Sequence, residues 1–168
     1  MRAGSSPEIL GVQYNKILMN TVGYASVLSG ADFIREAVLD RRWRAAIGLP
    51  ILAEGLNVLR RAGVALGRTA GISDVLRFRR LLMLLNLRPL ETAVRFAVAA
   101  ARSHPIIYSV FQDLLRGRTT EIEYVNGEIV RLADAVGIEA PYNAEVVRGI
   151  QELECRGDGS FYTQDQMI

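Results

Sequence analysis

The sequence predicts an all-α domain of about seven or eight helices, and three observations carry that expectation. Apolar residues recur at three- and four-residue spacing in nearly every segment. No apolar/polar alternation bounded by turns occurs, and no βαβ pattern. Residues that start and stop helices stand at the ends of the periodic segments.

The first helix is expected from about Pro7 to Ser29, with Pro7 suited to a first helical turn. A second covers roughly Ala31 to Arg42. The next, Trp43 to Arg61, contains Gly48 and Pro50 and so should kink or restart there. Gly63 is its stop, and Gly67 and Gly71 punctuate a loop. Ser73 can cap a helix whose apolar positions are Val75, Phe78, Leu82 and Leu85. Pro89 opens another, with Leu90, Val94, Ala97, Val98 and Ala101 on one face, and Pro105 ends it. Thr120 and Glu123 have the spacing of a capping box. Behind them Ile122, Val125, Ile129, Leu132 and Val136 form the cleanest amphipathic stripe in the chain. Gly137 closes that helix. Asn143 is positioned to cap the last one, which carries Val146, Val147, Ile150 and Leu153. From Arg156 onward the chain is polar and glycine-containing, and residues 156–168 are expected to fray as a flexible tail.

Composition narrows the chemistry. The 168 residues are 50% hydrophobic and 23% charged with a net charge of +2, the balance of one folded domain without a strongly basic face. Of 20 basic residues, 19 are arginine and one, Lys16, is lysine. There is one histidine, His104, and one cysteine, Cys155. A single Cys excludes an internal disulfide framework and any multi-thiolate metal centre, and a single His excludes an HExxH zinc site, so no metal is expected. A Ser–His–Asp triad would have to use His104, and no G-x-S-x-G precedes it. No apolar run reaches the roughly 18 residues that a membrane span needs. Residues 1–7 contain no apolar core of a signal peptide, so a cytoplasmic, membrane-free setting is the expectation.

Lys16, Asn20 and Tyr24 are spaced i, i+4, i+8 and stack along one helix face. A surface lysine is one reading. A polar stripe lining a cleft is the other, because a partly buried lysine can release a proton near neutrality and an arginine cannot. Further on, Ser109, Gln112 and Asp113 precede Arg116-Gly117-Arg118-Thr119-Thr120-Glu121. With Glu123 assigned to the capping box, Glu121 stands at the helix start either to favour its positive end or to accept a ligand hydroxyl. The clusters Arg41-Arg42-Trp43-Arg44 and Arg77-Phe78-Arg79-Arg80 read as solvated faces with apolar stems, not as a nucleic-acid interface. His104 reads as a helix-end residue, and Cys155 as a small apolar residue or an exposed thiol.

Two separated motifs carry a family resemblance. The stretch Gln112-Asp113 through Thr120-Glu121-Ile122-Glu123-Tyr124-Val125-Asn126-Gly127 resembles the S-x-x-Q-D…T-E-I-D-x-[IL]-N-G signature of the ketopantoate reductase C-terminal domain, with Ser109 in the place of the serine. Tyr14-Asn15-Lys16-Ile17-Leu18-Met19-Asn20 resembles the W-x-K-L-x-x-N that opens that domain. Pro141-Tyr142-Asn143 is similar to the P-x-N of the last helix, and Glu54 and Gly63 stand where the family has a Glu and an A-G. The resemblance covers residues 8–155, with 1–7 as a linker remnant. It implies the all-α fold of the ketopantoate reductase and 6-phosphogluconate dehydrogenase C-terminal type.

The family reduces 2-dehydropantoate, a 2-keto acid, with NADPH. By resemblance, Lys16 would be the proton donor to the substrate carbonyl. Asn20, Tyr24 and Ser109 would bind substrate, and Glu121 would bind the cofactor. Tyr24 replaces the usual second asparagine, which leaves the keto acid open between 2-dehydropantoate and another. The stretch from Arg68 to Ile107 is longer than in compact members. No G-x-G-x-x-G occurs, so the Rossmann domain that holds the dinucleotide is expected to be missing or separate. The 168 residues by themselves are therefore expected to bind NADPH poorly and to be inactive, with half of a split enzyme or a non-catalytic dimerisation module as the other readings. Apolar surface left where the Rossmann lobe would pack predicts a homodimer.

Overall fold

The structure, a computed structural model, describes residues 7–30, 32–67, 74–101 and 108–167. These residues form helices and connecting loops, with no strand among them. The α-helices are α1 (Pro7–Val27), α2 (Arg41–Trp43), α3 (Leu49–Arg61), α4 (Val75–Leu84), α5 (Arg88–Ala101), α6 (Ser109–Leu115), α7 (Ile122–Ala135), α8 (Pro141–Arg156) and α9 (Gln164–Met167). Two π-helical segments, Ile34–Leu39 and Arg44–Gly48, flank α2.

Helix α1 is the centre of the fold. It packs on α3, α7, α8, α4 and α6. Its first half buries one stripe, Gly11, Tyr14, Asn15 and Leu18, whereas every residue from Thr21 to Leu28 is buried. A helix surrounded on all sides loses its amphipathic pattern. The remaining core follows the expected periodicities. Val75, Phe78, Leu82 and Leu85 are buried along α4 and just past its end, and Ile122, Val125 and Ile129 along α7, where Leu132 and Val136 are half-buried and Ala133 is buried in their place. Val146, Ile150 and Leu153 face inward from α8. The helices α7 and α8 form an antiparallel hairpin, turned at Gly137 with a φ of 70°.

The restart at Gly48 and Pro50 takes the form of a π-turn. Pro50 has no N–H to donate, and its ring excludes the carbonyl four residues earlier. The chain widens the preceding turn, and the Leu49 N–H bonds the Arg44 carbonyl five residues back. Arg44 itself is fully buried. Its guanidinium donates to the carbonyls of Val38 (2.6 Å) and Leu85 (2.9 Å) and to Asn86 Oδ1 (3.1 Å), with Glu91 3.9 Å away. Burial pulls the Arg44 pKa down from its ordinary value, against the pull of Glu91 and Asp40.

Several expected end signals are assigned differently. Asp74 caps α4, accepting from the Leu76 and Arg77 N–H groups at 3.0 and 3.1 Å. Ser73, Gly71, His104 and Pro105 lie outside the described residues. The Thr120–Glu123 box does not close. Thr120 Oγ1 accepts from Ile122 N (3.3 Å), but the Thr120 N–H is taken by Glu154 of α8 at 2.6 Å, and Glu123 bonds Gln151 instead. Asn143 lies inside the first turn of α8, and Glu54 of α3 does the capping. Glu54 accepts from Tyr142 N (2.9 Å), Asn143 N (2.8 Å) and Asn143 Nδ2 (2.7 Å). At α7 and α8 a long-range carboxylate displaces the local partner, whereas at α4 the neighbouring Asp74 takes the place of Ser73. Helix α5 leaves Leu90 and Ala97 exposed, with Val94 and Val98 half-buried, so its apolar face is covered only in part.

The segment after Arg156, expected to fray, folds back over α1 and α6. The Tyr162 N–H bonds the Leu28 carbonyl (2.9 Å), and the Phe161 ring stacks on Phe111 of α6.

Candidate functional site

Helix α1 carries Lys16, Asn20 and Tyr24 down one face, and the face descends into the molecule. Lys16 is exposed, Asn20 half-buried and Tyr24 2% exposed. The descent follows from α1 entering the core at Thr21. Of the two readings of Lys16, a surface lysine and part of a polar stripe lining a cleft, this domain places the residue at its surface. None of the ion pairs among the described residues engages its ammonium group.

The preceding residue does the opposite. Asn15 is buried and bridges two distant segments, donating from Nδ2 to the Gly67 carbonyl (2.9 Å) and accepting at Oδ1 from the Val75 N–H (2.9 Å). Consecutive helical residues diverge by about 100°, so Asn15 can lock α1 to the start of α4 while Lys16 points away. Tyr14, one further step around, donates its hydroxyl to Glu128 of α7 at 3.0 Å.

At the buried end of the stripe, three candidates meet. The Tyr24 hydroxyl interacts with both Ser109, the first residue of α6, and Glu121, at the start of α7. Burial raises the Tyr24 pKa above its ordinary value, the Ser109 hydrogen bond lowers it, and the Glu121 carboxylate and Asp113 raise it. A hydrogen bond that favours the phenolate is one donated to the phenol oxygen, and one that favours the phenol is one the phenol donates. Ser109 and Glu121 thus both act on the Tyr24 hydroxyl, with opposite effects on its ionisation.

Glu121 is the N-cap residue of α7, its side chain making no bond to its own helix, and not the first helical residue as expected. Its carboxylate is exposed. A solvent-facing acceptor at that position fits a hydroxyl donor of a ligand.

An aromatic cluster fixes this corner. The Tyr24 and Tyr108 rings meet edge to face at 6.0 Å between centroids, and Tyr108 meets Phe33 at 5.7 Å. Phe33 in turn stacks on Phe78 at 6.0 Å. Gly23 admits the Tyr108 ring, since a Cβ at that position would lie 2.0 Å from the ring. Burial, and then the neighbouring Tyr24, push the Tyr108 hydroxyl up to about 12. Tyr108 and Asn15 were not legible as site-supporting residues. Their adjacency to Ser109 and Lys16 was the only signal available.

Behind the site runs a buried polar connection. Asn126 donates to Asn143 Oδ1 at 3.0 Å and reaches the Thr21 carbonyl at 3.5 Å, and Asn143 donates on to Glu54. The N-G and P-x-N motifs therefore tie α1, α3, α7 and α8 together, and contribute no ligand-facing group. Among the described residues, no group of His, Cys, Asp and Glu is arranged to hold a metal, and no helix is long and apolar enough to cross a membrane.

Comparison with known proteins identifies the family and fold of the domain. Residues 8–154 match the family described as ketopantoate reductase PanE/ApbA C terminal. The chain is 24% identical to a 2-dehydropantoate 2-reductase of Pyrococcus horikoshii over 167 residues, which cover 95% of this chain and 46% of that one. With the 2-dehydropantoate 2-reductase of Pyrococcus abyssi it shares 45% identity over 49 residues, 27% of this chain and 16% of the other. The crystal structure of a PanE/ApbA family ketopantoate reductase from Ralstonia eutropha shares the fold, with a TM-score of 0.61 at 24% identity, covering 88% of this chain and 42% of that one. The chain thus spans less than half the length of these relatives.

Proposed function

As this chain belongs to the ketopantoate reductase family through its C-terminal helical domain, we propose that it is the substrate-holding half of an NADPH-dependent reductase that converts a 2-keto acid to a 2-hydroxy acid. The observation that best supports this is the convergence of Tyr24, Ser109 and Glu121, from three helices distant in sequence, at the inner end of the Lys16–Asn20 stripe.

When bound, the dinucleotide supplies a hydride to the keto carbon. Lys16, an exposed ammonium on a rigid helix, donates its proton to the oxygen on which negative charge develops. Asn20, half-buried one turn further on, hydrogen-bonds the substrate. Ser109 hydrogen-bonds near the carboxylate. Glu121 accepts from a ribose hydroxyl of the dinucleotide while Tyr24 holds it from behind. Tyr24 stands where the family has a smaller amide and lies within reach of Ser109 and Glu121, which opens the site to a keto acid other than 2-dehydropantoate.

Lys16 is exposed here, so the water exclusion its role requires has to come from a dinucleotide-binding lobe covering it. Ile9, at 53% exposure, with Leu10 and Val12, leaves apolar surface at the start of the same helix, which supports that covering. The 168 residues alone are expected to show no NADPH-dependent reduction of 2-keto acids. Supplied with a dinucleotide-binding domain of the family, fused or separate, they are expected to support it. In that assembly Lys16→Met should lower kcat by about 10²- to 10⁴-fold without lowering the melting temperature. An unchanged kcat would remove Lys16 from the chemistry, and robust turnover by the chain alone would refute the half-site reading.

A further inference from the structure

We propose that the C-terminal segment 158–163 is a positioning strap, in which Phe161, acting through Phe111, holds α6 in register with α1 and so sets where Ser109 stands relative to Tyr24. The inference rests on reading the α1–α6 face as the substrate site.

Four contacts make the strap. The Phe161 ring stacks on Phe111 of α6, 5.2 Å between centroids and 23° between planes. The Tyr162 N–H donates to the Leu28 carbonyl at 2.9 Å, at the end of α1. The Tyr162 hydroxyl donates to Glu152 of α8. The Arg156 guanidinium lies over the Tyr162 ring at 5.0 Å. One short segment therefore grips α1, α6 and α8 together. Gly30 makes room for it: its φ is +65°, and a Cβ there would come within 2.9 Å of the Phe161 ring.

Helix α6 needs such a grip. It is seven residues long, too short to be stable by itself. It buries only Val110 and Leu114 in the core, and no side chain of its N-cap residue Tyr108 bonds its first turn. Phe111, half-buried against the same core, stacks in addition on Phe161. Phe111 lies two residues from Ser109, so the stack supports the helix that carries the serine, in addition to the Tyr108 cluster's hold on its N-cap.

Tyr162 also lines a cavity of about 240 Å³ with Met167, Leu28, Ile47, Ile51 and Val146.

The test uses the full 168-residue chain with Phe161→Ala, Phe161→Tyr and Ser109→Ala. Amide hydrogen exchange is read in α6 and, as control, in α7 and α8. Binding of 2-dehydropantoate and of pyruvate is read by heteronuclear NMR titration. Phe161→Ala should raise exchange of the α6 amides at least about ten-fold while α7 and α8 keep their protection. It should also weaken keto-acid binding to the extent that Ser109→Ala does, and Phe161→Tyr, which keeps the ring stack, should restore both. Unchanged α6 exchange overturns the strap, and so does an equal rise in α7 and α8, which would mark general unfolding. Faster α6 exchange with binding intact overturns the positioning role. If Ser109→Ala then also leaves binding intact, the failure lies with the reading of the substrate site and not with the strap.

Discussion

At the residue scale, the site is built by neighbours that face opposite ways. Asn15 points inward to hold two loops together and Lys16 points outward with its charge. Replacing Asn15 by Ala leaves the Gly67 carbonyl and the Val75 N–H without a partner in a buried place. That should cost about 2–3 kcal/mol in denaturant unfolding, with Lys16 untouched. Tyr108 gives a pH signature. In the unfolded chain its phenol ionises near 10, and in the fold only near 12. The unfolded state therefore releases its proton first, so the stability held below pH 10 is lost as pH rises from 10 to 12. By linkage the loss from Tyr108 is about 2 kcal/mol. Urea midpoints at pH 8.5 and 11.5 would measure the drop, and Tyr108→Phe should shrink it. The stripe Lys16–Asn20–Tyr24 was legible as spacing, because helical geometry is local. Its descent from surface to interior was not, because that depends on where α4, α6 and α7 close over α1.

At the element scale, periodicity was a sound guide and capping was not. The buried positions of α4 fall where the apolar spacing placed them, and so do Ile122, Val125 and Ile129 of α7 and Val146, Ile150 and Leu153 of α8, whereas Leu132, Val136 and Val147 are half-buried. The caps moved because carboxylates far along the chain outcompeted local partners: Glu54 reaches α8 across 88 and 89 residues, and Glu154 takes the Thr120 N–H. Glu54→Ala should therefore destabilise the domain by about 1–3 kcal/mol, more than an ordinary exposed cap, since it accepts three hydrogen bonds. Glu54→Gln, which keeps an acceptor oxygen, should recover part of the loss. Thermal unfolding of the pair would separate the two. The π-turn before Pro50 was half legible: the proline announced an interruption, while its resolution into a widened turn depended on seating Arg44 in the interior.

At the scale of the whole molecule, the domain has one finished side and others that are not. Leu87, Leu90 and Phe96, the last 73% exposed, lie on or beside α5, which packs mainly on the 34–39 segment. We propose that a second copy covers this face, and sedimentation should show a dimer that Phe96→Glu converts to monomer. A monomer at every concentration for the unaltered chain would refute it. The resemblance carried by two short motifs gave the family and its fold, because those motifs hold the buried polar connection between helices as well as the candidate site. The docked C-terminus escaped that reading, since residues 158–163 are polar enough to pass for solvent-exposed chain and their anchors, Leu28 and Phe111, are remote in sequence.

The burial of α1 on every side from Thr21 to Leu28 has a kinetic consequence. Two of its walls, α7 and α8, come from the far half of the chain, as the Tyr14–Glu128 and Thr21–Asn126 contacts measure for α7, 114 and 105 residues apart. During synthesis α1 leaves the ribosome first and α8 much later, so an apolar helix must wait for its surroundings. The α7–α8 hairpin can pair locally, whereas α1 joins by closing the longest loops in the molecule, which is the slow step in a topology of distant contacts. Newly made chain is thus most prone to aggregate in the interval before α7 arrives, and substitutions in α7 that delay its pairing should lower soluble yield out of proportion to their effect on equilibrium stability.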